Sequence, residues 1–245
     1  MAIKKAALAS RWMPVTDISA RLTKARENRE RQKVLLDTLE GQAKRRRDDI
    51  ERSLAELPQS ERSTLVSRAV GGFRGELKRA SADERLKFVR EIGRLRDEVH
   101  AVREHYGSTV QLLAREGLGT ERRSRLQQQV DKSGPTELAS LAAFAAATRD
   151  KELGAVLCAR IADLMPNDRP FSRQELADAL MGDEHRAVTQ AFMEIDRLTA
   201  ETVHADTTFE RGSANPVRAL GIARMKRDEA GIGADLSILE TEKED

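Results

Sequence analysis

The chain has 245 residues, enough for one large domain or two small ones. Charged residues make up 34% of it and aromatic residues only 3%, which argues against β-sandwiches, β-barrels and aromatic platforms for single-stranded nucleic acid. The net charge of +2 conceals a gradient, because residues 1–57 carry 14 Lys/Arg and 9 Asp/Glu, or +5, whereas residues 172–245 carry 9 and 16, or −7. Such a basic front and acidic back either steer a charged partner, orient self-association, or are simply solvated helix faces.

The bulk features indicate a soluble protein of a reducing compartment. Cys158 is the single cysteine, so no disulfide forms within the chain, and its apolar neighbours predict a buried, inert thiol. No stretch approaches the ~18 consecutive apolar residues of a membrane span, and the first residues lack the apolar core of a signal peptide. We therefore expect a protein of the bacterial cytoplasm or of a virion, with no membrane span.

The first half of the chain predicts long helices after an N-terminal arm of residues 1–16. Asp17 is expected to cap a helix that reaches about Leu57, with apolar positions that alternate by three and four residues and polar interruptions such as Gln32. At 1.5 Å per residue, helices of ~35–40 residues are roughly 50–60 Å long, so residues 17–118 predict a rod region.

Two further helices are expected within this rod region. The first begins at Ser60, and the second begins at the capping box of Ser81 and Glu84 and reaches about residue 116. The glycines of 71–75 lack a P-loop context and are interpreted as a bend or a close helix crossing. The apolar positions of the long helices form a candidate self-association seam that consists of Leu22, Leu36, Leu39, Ile50, Val89, Ile92, Val99 and Val102.

Residues 119–204 predict a compact helical bundle. A second capping box at Ser172 begins a helix, and Gly182 and Asp183 are expected to turn the chain into another, so that 172–202 form a hairpin. Residues 205–245 predict a C-terminal tail that is partly disordered unless bound. The predicted fold class is therefore all-α: elongated, with long amphipathic, coiled-coil-like helices, followed by a small helical bundle and a loose acidic C-terminal tail.

The predicted hairpin of 172–202 has helix-turn-helix spacing. Its first part, 171–180, resembles the second helix of winged-helix repressors, and this resemblance implies that Arg186, Thr189 and Gln190 face DNA. Residues 172–204 nevertheless carry three Arg and seven Asp/Glu, a net charge of −4, where a recognition surface should attract phosphates. A structural hairpin, a DNA-reading helix and a partner-binding hairpin all stay open.

A basic run on the first long helix is the other nucleic-acid candidate. On a helix its residues form a collar rather than a stripe, and the acidic residues that follow at 48–51 can pair with them within one turn. The run is interpreted either as a solvated helix surface or as a non-specific contact to DNA phosphates. The candidate phosphate contacts are Lys44, Arg45, Arg46 and Arg47.

No catalytic, cofactor-binding or metal-ligating constellation stands out in the sequence. His100 and His105 are five residues apart on one predicted helix, so they do not share a face, and His185 and His204 have no ligand partners at suitable spacing. The histidines are expected to lie at the surface or to be satisfied by hydrogen bonds. We expect no metal, no cofactor and no enzymatic activity.

These observations predict a non-enzymatic structural or assembly subunit of a large helical complex. Ala- and Arg-rich helices with few aromatics favour a phage virion protein, of the neck and connector or of the internal ejected class. The expected partners are copies of the chain and other structural proteins, with non-specific DNA contact through the basic N-terminal half. The alternative is a DNA-binding or DNA-organising protein with an N-terminal dimerising helix and a C-terminal helix-turn-helix.

Overall fold

A computed structural model describes residues 12–240, and over this range the chain is helical with no β-strand. The predictions of an all-α fold and of long helices are confirmed. The first eleven residues of the predicted N-terminal arm and the last five of the predicted acidic tail lie outside the described residues. The α-helices are α1 (Val15–Ser53), α2 (Gln59–His100), α3 (Thr109–Leu113), α4 (Glu121–Val130), α5 (Pro135–Thr148), α6 (Lys151–Asp163), α7 (Arg173–Arg211) and α8 (Pro216–Ala230), with 3-10 turns at Arg103–Tyr106, Pro166–Asp168 and Leu236–Leu239.

Helix α1 begins before the predicted cap. The carbonyl of Pro14 accepts hydrogen bonds from the amides of Asp17 and Ile18, at 3.1 and 3.3 Å, so the helix has already started at Val15. The prediction that Asp17 is the N-cap is therefore wrong by one turn. Asp17 lies instead in the first turn, where a carboxylate also stabilises a helix through its interaction with the helix dipole.

Helix α2 is one continuous helix where two were predicted. The hydroxyl of Ser81 donates back to the carbonyl of Leu77 at 2.8 Å and accepts a hydrogen bond from Nε of Arg85 at 3.0 Å, so the predicted capping box does not form. A serine inside a helix can bond to the carbonyl four residues earlier, and here the burial of Arg85 holds the surrounding backbone helical. The helix ends at His100, earlier than predicted.

Helix α7 contains both arms of the predicted hairpin. The predicted helix start at Ser172 is confirmed, since the Ser172 hydroxyl caps the helix by accepting a hydrogen bond from the amide of Glu175 at 3.4 Å. The predicted turn at Gly182 is wrong, because the helix runs on to Arg211. Buried side chains continue at helical spacing on both sides of this glycine, and their packing outweighs the ~1 kcal/mol by which a helical glycine is disfavoured.

The chain forms two compact units, and each unit is built from stretches that are separate in the sequence. The first unit combines the described parts of Met1–Ser19 and Ile232–Asp245 with Val99–Phe192, and the second unit combines Ala20–Glu98 with Met193–Gly231. The second unit thus contains most of α1 and α2, the C-terminal half of α7, and α8.

In the first unit, α6 is the central helix and packs against α3, α4 and α5. Gly154 lets α6 approach α7 closely, because a Cβ atom at this position would lie 2.2 Å from Cδ1 of Leu180. Large side chains fill the core of this unit, among them Leu113, Leu138, Leu157, Ile161 and Met181.

In the second unit, α1 and α2 form an antiparallel hairpin. Arg21 near the start of α1 pairs with Glu98 near the end of α2, at 2.9 Å, and Glu40 further along α1 pairs with Arg74 of α2. The two helices therefore lie side by side, with their connection, 54–58, at one end.

Helix α7 lies along this hairpin and runs parallel to α1. Arg26 bonds to Glu194, and the Gln32 side chain donates to the carbonyl of Thr202 at 3.0 Å, so residue numbers rise together on both helices. Gly212, with φ of +75°, ends α7 in the left-handed conformation that favours glycine, and α8 then folds back.

Candidate functional site

Most residues of the predicted self-association seam are buried by other helices of the same chain. Leu22, Leu36, Leu39, Ile92, Val99 and Val102 are at most 9% exposed, whereas Ile50 and Val89 are half-buried. A second copy cannot reach the buried members while the fold is closed. The prediction that this seam is open for self-association is therefore wrong for its buried members. In the second unit, helices of the same chain pack over it.

Helix α7 covers the hairpin with carboxylates that meet arginines. Arg26 donates to both carboxylate oxygens of Glu194 at 2.7 Å, and Arg96 donates to Asp196 at 2.7 Å. The two parallel bonds between Arg26 and Glu194 are the strong geometry for an arginine and a carboxylate. The acidic side chains of α7 thus point at basic side chains of both α1 and α2.

The most buried charge in this contact is the guanidinium of Arg85, which is 2% exposed. It donates to Asp206 at 2.6 Å and also to Glu210, and it lies 4.9 Å from the centre of the Phe209 ring. Two carboxylates and an aromatic face surround this guanidinium, so its charge is compensated at several atoms. Sequence analysis did not single out Arg85.

Contacts within the second unit account for much of the charge gradient along the sequence. Residues 193–211 of α7 carry two Arg and five Asp/Glu, a net charge of −3, and this acidic stretch lies on the basic hairpin. The basic front and the acidic back of the chain compensate each other, so much of the gradient is not available to a partner.

Helix α8 completes a second cluster of charges on α7. Arg197 bonds to Glu229 at 2.6 Å and to Glu201 at 3.0 Å, and Lys226 bonds to Glu201 at 3.0 Å. Burial alone would raise the pKa of Glu201, but the hydrogen bonds from Lys226 and Arg197 outweigh it and hold this pKa below its ordinary value.

Beyond the end of α7, the α1–α2 hairpin continues without cover from that helix. Lys78 marks the boundary, since its ammonium donates to the carbonyl of Glu210 in the last turn of α7, at 2.6 Å. We call residues 41–75 the distal hairpin and the part of α1 and α2 that α7 covers the proximal hairpin. The distal hairpin carries eight Lys/Arg and five Asp/Glu, a net charge of +3.

A groove of about 650 Å³ follows the distal hairpin between α1 and α2. We call it the distal groove. Its floor is apolar, two serine hydroxyls and a glycine lie along it, and arginines stand on both sides. The residues that carry these features are Val66 and Val70, Ser63 and Ser67, Gly71, and Arg47, Arg62 and Arg74. Glu51 and Gln59 complete the lining, which thus has three arginines and one carboxylate.

The distal groove continues the surface on which α7 lies. Arg47 stands three heptads after Arg26 on α1, so both point to the same side of a helix with this repeat. On α2, Arg74 lies three turns before Arg85 on the same side. The arginines that meet carboxylates in the proximal hairpin therefore have counterparts in the distal groove.

The four predicted phosphate contacts are all exposed on the distal hairpin. Arg47 donates to Glu51 at 2.8 Å, and this hydrogen bond raises the pKa of Arg47. Lys44, Arg45 and Arg46 form no ion pair with any residue of the described range. The run is a collar, as predicted, and one of its members points to the distal groove.

The predicted DNA-reading residues do not form an exposed row on a recognition helix. The Gln190 side chain accepts a hydrogen bond from the amide of Ala234 at 2.8 Å, Thr189 is half-buried, and Arg186 pairs with Asp183 on its own helix. Since α7 is continuous, the helix-turn-helix that would place these residues in a DNA groove does not form.

The first unit holds a separate cavity of about 530 Å³, which sequence analysis missed. Tyr106 and Arg115 line it, together with Lys151 and Glu184, which form an ion pair at 2.8 Å. Burial raises the pKa of Tyr106 to about 12, and Nη1 of Arg115 is buried without a hydrogen-bond partner among the described residues. Its lining comes from five distant stretches of sequence, which no local pattern connects.

Within residues 12–240, the remaining cysteine and histidine side chains form no catalytic or metal-binding cluster. Cys158 is buried, as predicted, and burial raises its pKa to about 11, so its thiol is inert near neutral pH. His204 differs from expectation, because its Nδ1 is buried and has no hydrogen-bond partner within the described residues. No three His, Cys, Asp or Glu side chains between residues 12 and 240 are arranged to hold a metal ion.

The distal groove is the candidate site because it is open, charged and continuous with a helix-binding surface. No described helix combines the length and the apolar character needed to cross a membrane. The chain matches no protein-family model, no curated protein and no solved structure.

Proposed function

We propose that this protein is a non-enzymatic structural subunit of a larger helical assembly, and that it makes partner contacts through the distal hairpin. The setting that its sequence favours is a phage virion, in the neck and connector or among the internal ejected proteins. The observation that carries the proposal is the distal groove, an open, arginine-flanked groove that continues the side of the hairpin on which α7 lies.

Two features support an assembly role. On the side that α7 covers, the proximal hairpin has buried apolar positions and arginines paired with carboxylates of α7, so this side serves stability. The distal hairpin repeats the same side-chain pattern but leaves it open, and the half-buried Ile50 lies there. Surfaces of this kind are typical of helices that are completed by a partner.

A second candidate function is DNA organisation through the basic collar. Lys44, Arg45 and Arg46 are exposed and form no ion pair within the described chain, and unpaired cations are what a phosphate backbone attracts. This candidate involves non-specific contact, since the predicted recognition hairpin does not form.

Sedimentation of the full chain tests the proposal against this second candidate. We expect a defined oligomer that grows with protein concentration and persists at roughly 0.15 M salt, where exposed charges are screened beyond ~8 Å. We expect little retardation of duplex DNA at roughly 50 mM salt. A monomer at every concentration that binds duplex with a steep salt dependence, lost in Arg45→Ala/Arg46→Ala, would instead establish DNA organisation.

A further inference from the structure

We infer that the distal groove binds an acidic amphipathic helix of a partner protein, in the place that α7 would occupy if it continued. This inference rests on the proposed assembly function and names the chemistry of its partner. Its basis is the molecule itself, which shows in the proximal hairpin what this kind of groove accepts.

The proximal hairpin sets the precedent. There an acidic helix places carboxylates opposite the arginines on both sides, as Glu194 does for Arg26 on α1 and Asp206 does for Arg85 on α2. Between these flanks, Ile195 is buried among the packed helices. The accepted ligand is a helix with a narrow apolar stripe and acidic borders.

The distal groove offers the same three elements in the same order. Arg47 stands on the α1 side, and Arg62 and Arg74 stand on the α2 side. Arg47 and Arg74 each pair with one carboxylate of the hairpin, Glu51 and Glu40, and a partner's carboxylates would share or replace these pairs. Val66 and Val70 form the apolar floor. The stretch from residue 59 to residue 74 is roughly 22 Å long, or about four helical turns. A partner helix of about 15 residues would fill it.

The chain's own α7 does not extend into this groove. Gly212 turns the backbone away in a left-handed conformation, and the Lys78 ammonium bonds to the last turn of α7. The end of α7 is thus fixed at the boundary of the distal groove. A helix from another chain can enter beside it without displacing α7.

The floor of the groove favours a helix over a nucleic acid. A phosphate backbone gains from arginines but gains nothing from the half-buried Val70, whereas an amphipathic helix would cover it. Val66 beneath the groove is already buried by the hairpin itself. The cations best placed for phosphates, Lys44, Arg45 and Arg46, lie outside the groove lining. The two ligands therefore depend on different side chains, which makes them separable.

The experiment uses the full chain and a fluorescein-labelled peptide of about 15 residues, with Leu at the apolar heptad positions and Glu at the flanking positions. A matched peptide has Lys in place of every Glu. Binding is followed by fluorescence anisotropy. We expect the glutamate peptide to bind at least about tenfold more tightly than the lysine peptide, because like charges oppose binding.

Two neighbouring glycines provide a matched pair of variants. Gly71 lines the groove and Gly72 does not, and neither has any atom within 4 Å of an added Cβ, so both variants are expected to fold. Gly71→Met places a side chain in the groove and should weaken the glutamate peptide by about tenfold or more. Gly72→Met should change its affinity by no more than about twofold.

Three results would overturn the inference. They are equal binding of the two peptides, equal effects of Gly71→Met and Gly72→Met, and a short duplex DNA that displaces the peptide and is itself excluded by Gly71→Met. A chain that oligomerises but binds neither peptide would remove the acidic-helix partner and leave the assembly function standing. A chain that binds the glutamate peptide in the groove yet stays monomeric supports the inference and confines assembly to contacts with other proteins.

Discussion

The proximal and distal parts of the α1–α2 hairpin differ in one respect, which is whether α7 covers them. In the proximal part, Arg26 and Arg85 meet carboxylates of α7, and the apolar positions between them are buried. In the distal part, arginines such as Arg47 and Arg74 occupy the same side, but only neighbouring carboxylates of the hairpin itself reach them. The comparison shows that one sequence pattern serves stability where it is covered and is free for binding where it is open.

The largest expected effect is a difference in stability between arginine variants of the proximal and the distal hairpin. Arg85→Ala removes a guanidinium that is 2% exposed and leaves Asp206 without its partner, so we expect a loss of about 3–5 kcal/mol in the free energy of unfolding. Arg74→Ala removes a half-buried partner of Glu40 and should cost less than about 1 kcal/mol. Urea unfolding followed by circular dichroism measures both, and equal losses would contradict the distinction.

A second prediction uses pH on the proximal side. Glu201→Gln removes a carboxylate that Arg197 and Lys226 hold, and we expect a loss of about 1–3 kcal/mol at pH 7. Because the folded pKa of Glu201 lies below its ordinary value of 4.5, its stabilisation is present above that value and is lost as pH falls through the folded pKa. The gap between wild type and variant should therefore narrow as pH falls below 4.5.

The matched control for this prediction lies in the distal hairpin. Glu51 pairs with Arg47 on the helix surface, and its replacement by Gln should change stability by no more than about 0.5 kcal/mol at pH 7. A gap for Glu201→Gln that stayed constant down to pH 3 would show that its effect comes from packing and not from charge.

The smallest predicted effect is a gain in stability. Gly72→Ala adds a methyl group to open space in the distal hairpin and should raise the free energy of unfolding by about 0.5–1 kcal/mol, since Ala is the better helix former. Gly154→Ala is the contrast, because its Cβ would lie 2.2 Å from Leu180 and overpacking costs about 1–3 kcal/mol. Thermal unfolding should show a stabilised Gly72→Ala variant and a destabilised Gly154→Ala variant. A destabilised Gly72→Ala variant would contradict the prediction that position 72 has room for a side chain.

The features that could be predicted from the sequence are those that follow from helical periodicity. The apolar heptad positions of α1 from Leu22 to Leu39 are buried. Even the polar interruption at Gln32 lies in the interior, where its amide donates to a carbonyl of α7. Of the helix starts that were predicted from a single capping side chain, some are confirmed and others are wrong. Ser172 caps a helix whereas Ser81 does not, because tertiary burial of Arg85 overrides the local signal.

The candidate site was beyond sequence reasoning for a physical reason. Amphipathic periodicity says that a face will be covered but not whether the cover comes from the same chain. The distal groove exists only because α7 ends at Gly212, opposite the middle of the hairpin, and this register is set in three dimensions. The repeat of basic residues at Lys78 and Arg85, one heptad apart, was the one available signal for the charged face.

Hydrogen exchange of the full chain, with and without the glutamate peptide, tests the central claim most directly. Without peptide, amides of residues 78–98 should be well protected by α7, and those of 59–74 should exchange faster because their helix faces are open. Adding the peptide should protect residues 59–74 and 44–53 while leaving 78–98 unchanged. Equal protection of both parts without peptide, or a peptide that protects residues 78–98 instead, would contradict the account.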